Sequence, residues 1–242
     1  YSGLSWQKDS SWGSYKVTTL HTYKHAVLEN ALIYSDNIYF AKAALKIGAR
    51  DYAAQTKHLG FGRELPFDIK MAVSQFSNNQ KSIDSEVQLA DSGYGQGQVL
   101  VNPVHLASIY SAFVNKGSMV RPYLLYKKKP EPQYWIKDAF SEKTAEIVRK
   151  DLIQVIEHPD GTGHGARTPG VKLAGKTGTA EIKASKSDTS GTELGWFGIF
   201  TADKSEKEPW LLITMAEDVK ERGGSGYVVK KTIPVIKAKE NE

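Results

Sequence analysis

LAGKTGTAEI, residues 173–182, decides the fold class, because it is the first of three β-like runs that follow one another late in the chain. The other two runs are residues 195–201 and 210–216, and polar segments separate them. Successive strand patterns with no helical pattern between them favour an antiparallel sheet, since parallel strands need long crossover connections. With the helical patterns elsewhere, they predict an α+β fold in which helices flank an antiparallel sheet.

The strongest helical pattern covers residues 141–157, with Ser141 as its cap. Its spacing puts Glu146 and Arg149 outside, and the apolar side chains of Ile147, Leu152, Val155 and Ile156 inside. Asn102-Pro103 starts a helix that we expect to end at Gly117, because proline is favoured at the first helical position. Further helices are predicted over residues 20–31, 38–47, 51–59 and 227–236. No repeat or linker interrupts the chain, so residues 1–242 are predicted to belong to one domain.

Composition excludes several classes of protein. The 242 residues are 40% hydrophobic and 24% charged, which is not the composition of a disordered or collagen-like chain. Cysteine is absent, which excludes disulfides, thiolate metal sites and a cysteine nucleophile.

Residues 92–115 form the longest stretch without Asp, Glu, Lys or Arg. This stretch is broken by Gly and Pro and is not a membrane span. No aromatic or arginine residues are interleaved with the lysines at 127–129, so no nucleic-acid partner is expected.

The segment from Gly170 to Thr177 matches the P-loop signature G-x-x-x-x-G-K-T. A P-loop follows a buried strand and opens a helix, whereas here a Gly-rich segment precedes it and a β-branched run follows. An edge strand is the better interpretation, with the Lys176 ammonium beside the Thr177 hydroxyl and with Gly178 open to close approach. Such a strand can bind a carboxylate and lend a backbone N–H to an oxyanion. Nucleotide binding is kept as a remote alternative.

A second candidate is Ser35-Asp36-Asn37, which stands before the helix predicted from residue 38. One interpretation is structural, because Asp36 or Asn37 would cap that helix. The other is functional, because a Ser hydroxyl can relay a proton and an Asn amide can hold a substrate carbonyl.

Two weaker patterns are not favoured. His21, His25 and Glu29 would share one face of the helix predicted over residues 20–31, but no general base accompanies them as in a metalloprotease motif, so no metal is expected. Residues 161–166 fit a dinucleotide pattern, G-x-G-x-x-A, but they follow a helix rather than a strand.

S-D-N and K-T-G together carry a family resemblance. With S-x-x-K they form the motif set of serine β-lactamases and penicillin-binding proteins, and both occur here in the usual order. The flanking segments resemble the penicillin-binding transpeptidases, and the resemblance covers residues 6–236. These segments are GYGQG (93–97), VNP (101–103), residues 162–166, LAGKTGTA (173–180) and GWF (195–197). WQKD (6–9) and SWG (11–13) resemble the low-affinity, resistance-type class B subgroup of Gram-positive bacteria.

The resemblance implies a D,D-transpeptidase that cross-links peptidoglycan through an acyl-enzyme, acts on stem peptides, and binds β-lactams as mimics of them. It implies that Ser35 relays a proton to the leaving group, Asn37 holds the substrate amide, and Lys176 supports Ser35 electrostatically. Thr177, and Thr179 with it, would bind the terminal carboxylate, and the Thr179 N–H would form half of the oxyanion hole beside Gly178. It implies no cofactor and no metal, and a site at the outer face of the cell membrane.

The family's S-x-x-K motif, which carries the nucleophilic serine, is not found in this sequence. By the resemblance it lies a few tens of residues before Ser35, so we expect it on an upstream part of the same domain, and we expect this chain alone to be inactive. Two alternatives stay open. A serine β-lactamase would need a water-activating Glu after S-D-N, for which Glu64 is the nearest candidate, and a catalytically silent module would only bind β-lactams.

Overall fold

The structure is a computed structural model that describes residues 1–125, 131, 133–182, 191–203 and 208–240. These form two compact units, Tyr1–Ala31 with Ser35–Glu146, and Leu32–Tyr34 with Ile147–Glu242. The prediction of a single domain over residues 1–242 stays a prediction. The lysines at 127–129 lie outside the described residues.

The first unit is mainly helical. Two short antiparallel pairs accompany its helices: β1 (Ser5–Trp6) with β2 (Val17–Thr18), and β3 (Met119–Val120) with β4 (Tyr134–Ile136). Its helices are α2 (Asn37–Ile47), α3 (Ala49–His58), α4 (Glu86–Ser92) and α5 (Pro103–Ser111), together with most of α1 (Leu28–Ile33). The start of α6 (Glu142–Glu157) also belongs to this unit.

Capping residues set the helix boundaries in this unit, as the sequence predicts. Asp36 caps α2, and the predicted last residue of that helix, residue 47, is confirmed; Gly48 follows it with a φ of 86°. The Asn102 side chain accepts hydrogen bonds from Val104 N and His105 N, so α5 begins at Pro103. Helix α4, capped by Ser85, was not predicted, because its short sequence shows no clear helical period.

The second unit is built on a three-stranded antiparallel sheet, which confirms the predicted fold class. Its strands are β5 (Leu173–Ile182), β6 (Thr192–Thr201) and β7 (Leu211–Ala216), in the order β5-β6-β7. The remainder of α6 and the last helix, α7 (Ser225–Glu240), complete the unit. The buried core combines side chains of the sheet and of both helices, including Leu173, Phe197, Ile199, Ile156 and Val228.

The helix predicted over residues 20–31 is wrong for most of its length. Helix α1 begins only at Leu28, and His25 has a φ of 60°, a left-handed conformation outside the α-helix. Hydrogen bonds to the S-D-N segment hold the residues before α1, as described below. His21, His25 and Glu29 therefore do not share a helix face, and no group of three or more potential His, Asp or Glu ligands occurs among the described residues.

Two other helix predictions are wrong in part. Helix α5 ends at Ser111, and turns continue the chain to Gly117. In α6 the predicted start after Ser141 and the buried positions Leu152, Val155 and Ile156 are confirmed, but Arg149 is buried and Ile147 is 44% exposed. Arg149 is accommodated because its Nη1 donates to the carbonyl of Ala202 at 3.0 Å. No helix in the described part of the chain has both the length and the apolar character to span a membrane.

Candidate active site

The S-D-N segment forms a tight corner at the start of α2. Ser35 has a φ of 52°, so the backbone turns sharply before the helix begins. The fully buried Asp36 carboxylate caps α2, accepting from Ile38 N at 2.9 Å and Tyr39 N at 3.2 Å. Its other oxygen accepts the hydroxyl of Tyr23 at 2.6 Å. The structural interpretation of S-D-N is therefore correct for its central residue.

Burial dominates the electrostatics of this corner. Burial raises the pKa of Asp36, although the two backbone N–H donors act in the opposite direction. Burial likewise raises the pKa of Tyr23 to about 12, so its hydroxyl stays protonated and can donate to the carboxylate. One N–H of the Asn37 amide donates to the carbonyl of Thr18 at 3.0 Å. Asp36 and Asn37 thus hold the segment over residues 18–23, and they fix the entry to α2.

The three residues before Ser35 belong to the second unit and are tied to its glycine-rich loop. Thr162 N donates to the carbonyl of Ile33 at 3.3 Å, and the Tyr34 hydroxyl donates to Asp160 at 3.3 Å. Residues 32–34 are therefore held by the loop that follows α6.

Lys176 lies in the middle of β5, an edge strand of the sheet in the described part of the chain. The strand continues through residue 182 and pairs with β6 throughout, so no helix starts after the K-T-G residues. The P-loop alternative is therefore wrong. Lys176 is half-buried, its Nζ donates to the carbonyl of Thr177 at 2.9 Å, and burial lowers its pKa to about 8.

The other predicted residues of this strand differ in exposure. Thr177 is buried, and its hydroxyl donates to the hydroxyl of Thr162 at 2.7 Å. Thr179 is exposed, and its Oγ1 accepts from Ser225 N at the start of α7 at 3.2 Å. A Cβ built on Gly178 would make an ordinary contact at 3.5 Å with Trp196, so packing alone does not require glycine there.

The structure groups the predicted site residues in two sets. Lys176, Thr177, Gly178 and Thr179 are consecutive on β5 in the second unit, and Ser35 and Asn37 flank the cap of α2 in the first. That the two sets converge on one substrate stays a prediction.

Sequence reasoning did not identify the residues that hold these sets in place. Tyr23 was missed because it lies within the incorrect helix over residues 20–31, and Thr18 was missed because its carbonyl accepts from Asn37, nineteen residues later. Thr162 could have been found, because it stands between two glycines, Gly161 and Gly163, in a segment that already carried the family resemblance.

Comparisons with known proteins show the family to which the chain is similar. A family model described as the penicillin binding protein transpeptidase domain matches residues 1–236. Penicillin-binding protein 3 of Bacillus subtilis (strain 168) is 43% identical over 230 residues, which is 95% of this chain and 34% of that protein. The probable peptidoglycan D,D-transpeptidase PbpC of Pseudomonas aeruginosa is 29% identical over 213 residues, 87% of this chain and 36% of that protein. The chain thus spans about a third of the length of these curated relatives.

Solved structures show the same fold at lower sequence identity. The crystal structure of PBPA from Mycobacterium tuberculosis aligns with a TM-score of 0.74 and 19% identity, over 90% of this chain and 50% of that one. The D,D-transpeptidase domain of a peptidoglycan glycosyltransferase from Eggerthella lenta aligns with a TM-score of 0.69 and 24% identity, over 93% and 57%. With the family match over residues 1–236, these findings establish that the chain belongs to the penicillin-binding protein transpeptidase domain family.

Proposed function

We propose that this chain supplies the S-D-N and K-T-G parts of a peptidoglycan D,D-transpeptidase, a serine acyltransferase that cross-links the bacterial cell wall. The observation that carries the proposal is the position of K-T-G on an edge strand, with a half-buried Lys176 whose pKa is about 8. An edge strand leaves one side of its backbone available to an extended peptide, and a lysine with a lowered pKa is typical of catalytic sites.

The reaction proceeds in two acyl-transfer steps. A serine hydroxyl attacks the penultimate D-Ala carbonyl of a stem peptide, and the terminal D-Ala leaves after its nitrogen gains a proton. An amine of a neighbouring stem peptide then attacks the resulting ester and releases the serine. β-Lactams acylate the same serine because they resemble the D-Ala-D-Ala end.

Ser35, Lys176 and Asn37 serve the proton transfer and the orientation of the peptide. Ser35 relays the proton to the leaving nitrogen, and Lys176 supports that hydroxyl electrostatically. A lysine with a pKa near 8 exchanges its proton at neutral pH far more readily than an exposed lysine does. The Asn37 amide binds the substrate amide, and its bond to Thr18 O supports this role by fixing the side chain.

The K-T-G strand binds the negatively charged groups of the substrate. Thr177 and Thr179 bind the terminal carboxylate, and the backbone N–H of Thr179 forms half of the oxyanion hole. One such donor contributes about 3 kcal/mol to transition-state stabilisation in comparable enzymes. The space beside Gly178 supports close approach of the substrate backbone.

The nucleophile of this mechanism lies on an upstream S-x-x-K segment of the same domain, which is the missing partner of the chain. The length of the relatives supports this, and so does β7, which pairs only with β6 in the described residues and leaves Met215 40% exposed. The WQKD and SWG segments support membership of the low-affinity, resistance-type class B subgroup. An enzyme acting on the cell wall would work at the outer face of the membrane.

The β-lactamase alternative is less well supported. Glu64, the candidate for activating water, is largely exposed and forms an ion pair with Lys70 at 3.7 Å. A carboxylate in that setting is surrounded by solvent and is not enclosed in a pocket that could hold a single catalytic water.

Labelled penicillin tests the proposal directly. The longer protein that includes the upstream segment should form one covalent adduct per molecule, and mass spectrometry of its peptides should place the label on the serine of S-x-x-K. Residues 1–242 alone should form none. A longer protein without an adduct would contradict the proposed function, and a stoichiometric adduct on this chain alone would contradict the upstream position of the nucleophile.

A further inference from the structure

We infer that Thr162 is a positioning residue for Thr177, orienting its hydroxyl toward the substrate carboxylate. This inference rests on the proposed function, because it concerns how the K-T-G strand binds its ligand. It gives a role to the glycine-rich loop over residues 161–166, which fits a dinucleotide pattern by sequence but follows a helix.

Close packing fixes the backbone on both sides of Thr162. A Cβ on Gly161 would lie 2.2 Å from the carbonyl oxygen of Val155, and one on Gly163 would lie 2.7 Å from Ile156 Cδ1. Since neither position can take a side chain without a shift, the loop lies directly on the end of α6.

Backbone hydrogen bonds add to this constraint. Gly161 N donates to His158 O at 2.9 Å, and Gly163 N donates to Val155 O at 3.2 Å. The N–H of Thr162 itself donates to Ile33 O at 3.3 Å. The Thr162 hydroxyl is therefore presented from a rigid backbone, with its Oγ1 2.7 Å from Oγ1 of the buried Thr177.

The direction of that hydrogen bond has a consequence for ligand binding. Thr177 now donates its hydrogen to Thr162, but a carboxylate only accepts hydrogen bonds, so Thr177 must turn its hydrogen toward the ligand. Thr162 can then donate its own hydrogen to Thr177 Oγ1, so that the hydrogen bond between the two hydroxyl groups is kept. The reversed chain, from Thr162 to Thr177 to carboxylate, is cooperative, because each bond polarises the next.

The experiment is a double-mutant cycle in the longer protein, read as the second-order rate constant of acylation by benzylpenicillin. Thr162→Val removes the hydroxyl and keeps the shape, so it should lower the rate roughly tenfold, as expected for one lost hydrogen bond. Thr162→Ser should stay within about twofold of wild type, because it keeps the hydroxyl. In a Thr177→Val background, Thr162→Val should have almost no further effect on the rate.

Thr232→Val is the matched control, because it removes a hydrogen-bonded Thr hydroxyl elsewhere in the second unit: Thr232 is buried and donates to Val228 O at 2.9 Å within α7. It should leave the acylation rate unchanged. Thermal unfolding of every variant separates a folding defect from a binding defect, and Thr162→Ala replaces the valine variant if that one fails to fold.

The outcomes separate this inference from the proposed function. If wild type is acylated and Thr162→Val equals it, or if the loss is the same with and without the Thr177 hydroxyl, Thr162 does not act through Thr177 and the inference is wrong. If wild type is not acylated at all, the proposed function is wrong, and the inference with it.

Discussion

The S-D-N corner and the K-T-G strand are held in place by different means. At the corner, side chains do the holding: Asp36 caps α2 and accepts from Tyr23, and Asn37 donates to Thr18 O. On the strand, the backbone ladder with β6 does the holding, residue by residue from 173 to 182. The side chain of Lys176 is therefore not needed to position its own backbone.

This difference shows what each region can give to catalysis. At the corner, both carboxylate oxygens of Asp36 accept hydrogen bonds that hold the local fold, and one N–H of the Asn37 amide does the same by donating to Thr18 O. On the strand, burial lowers the pKa of the Lys176 ammonium to about 8, and the sheet can carry this unfavourable group because its backbone ladder maintains the local fold. We therefore expect substitutions at Lys176 to affect activity more than stability, and substitutions at Asp36 to do the opposite.

The largest effect is expected from Lys176→Met. Loss of the ammonium should lower the rate of acylation by a labelled penicillin roughly 10²–10³-fold in the longer protein, as for other groups that stabilise charge in a transition state. Lys172→Met is the matched control, because Lys172 is exposed just before the same strand, and its rate should stay within about twofold. Equal losses in both variants would show that general surface charge is responsible.

Lys176→Met should raise stability while it lowers activity, and the gain in stability should depend on pH. The pKa of Lys176 is about 8 in the folded chain against 10.5 for an ordinary lysine, so burying its charged form opposes folding below pH 8. This cost disappears as the pH rises from 8 to 10.5. Relative to wild type, Lys176→Met should therefore be most favoured near pH 7 and lose that advantage as the pH approaches 10.5. Urea unfolding of both proteins at several pH values measures the difference in their free energies of unfolding. A difference that does not change with pH would contradict the lowered pKa of Lys176.

The second largest effect is expected from Asp36→Ala. The substitution leaves Ile38 N, Tyr39 N and the Tyr23 hydroxyl without their acceptor in a buried place, which should lower the free energy of unfolding by about 2–3 kcal/mol. Ser85→Ala removes the cap of α4 at an exposed position and should cost only about 1 kcal/mol. Chemical denaturation measures both, and equal costs would mean that the Tyr23 contact and burial add nothing to the cap.

The strand region was predictable because its signals are local. Residues 173–182 form β5 with the predicted bounds, since β-branched residues and flanking polar segments indicate one strand. The caps at Asp36 and Asn102 were predictable for a similar reason, because a capping side chain bonds only a few residues away.

The corner region was only partly predictable because its contacts are not local. Residues 20–27 have helical spacing, but Tyr23 bonds to Asp36, thirteen residues later, and that contact competes with a helix. Arg149 was placed outside α6 because a charge is normally exposed, whereas the carbonyl of Ala202 accepts from it at a distance of 53 residues. Neither partner can be identified from the spacing within one segment.

The smallest effects are expected from alanine substitutions at the two glycines of β5. They compare a glycine that packing requires with one that we propose faces the substrate. A Cβ on Gly175 would lie 2.7 Å from Gly198 O and 3.2 Å from Ile156 Cδ1, so Gly175→Ala should lower the free energy of unfolding by about 1–2 kcal/mol. Among the described residues, a Cβ on Gly178 would lie within 4 Å of Trp196 Cβ alone, at 3.5 Å, so Gly178→Ala should change the free energy of unfolding by less than about 0.5 kcal/mol.

The acylation rates should show the opposite order, with the larger loss in Gly178→Ala. If the backbone of a stem peptide or β-lactam lies against Gly178, the added methyl group should lower the acylation rate roughly tenfold without destabilising the protein. Gly175→Ala, once folded, should be acylated within about threefold of the wild-type rate, because Gly175 is buried and its added methyl group would contact β6 and α6. Unfolding and acylation measured on the same preparations decide the matter. If Gly178→Ala is acylated at the wild-type rate, the ligand does not lie against Gly178.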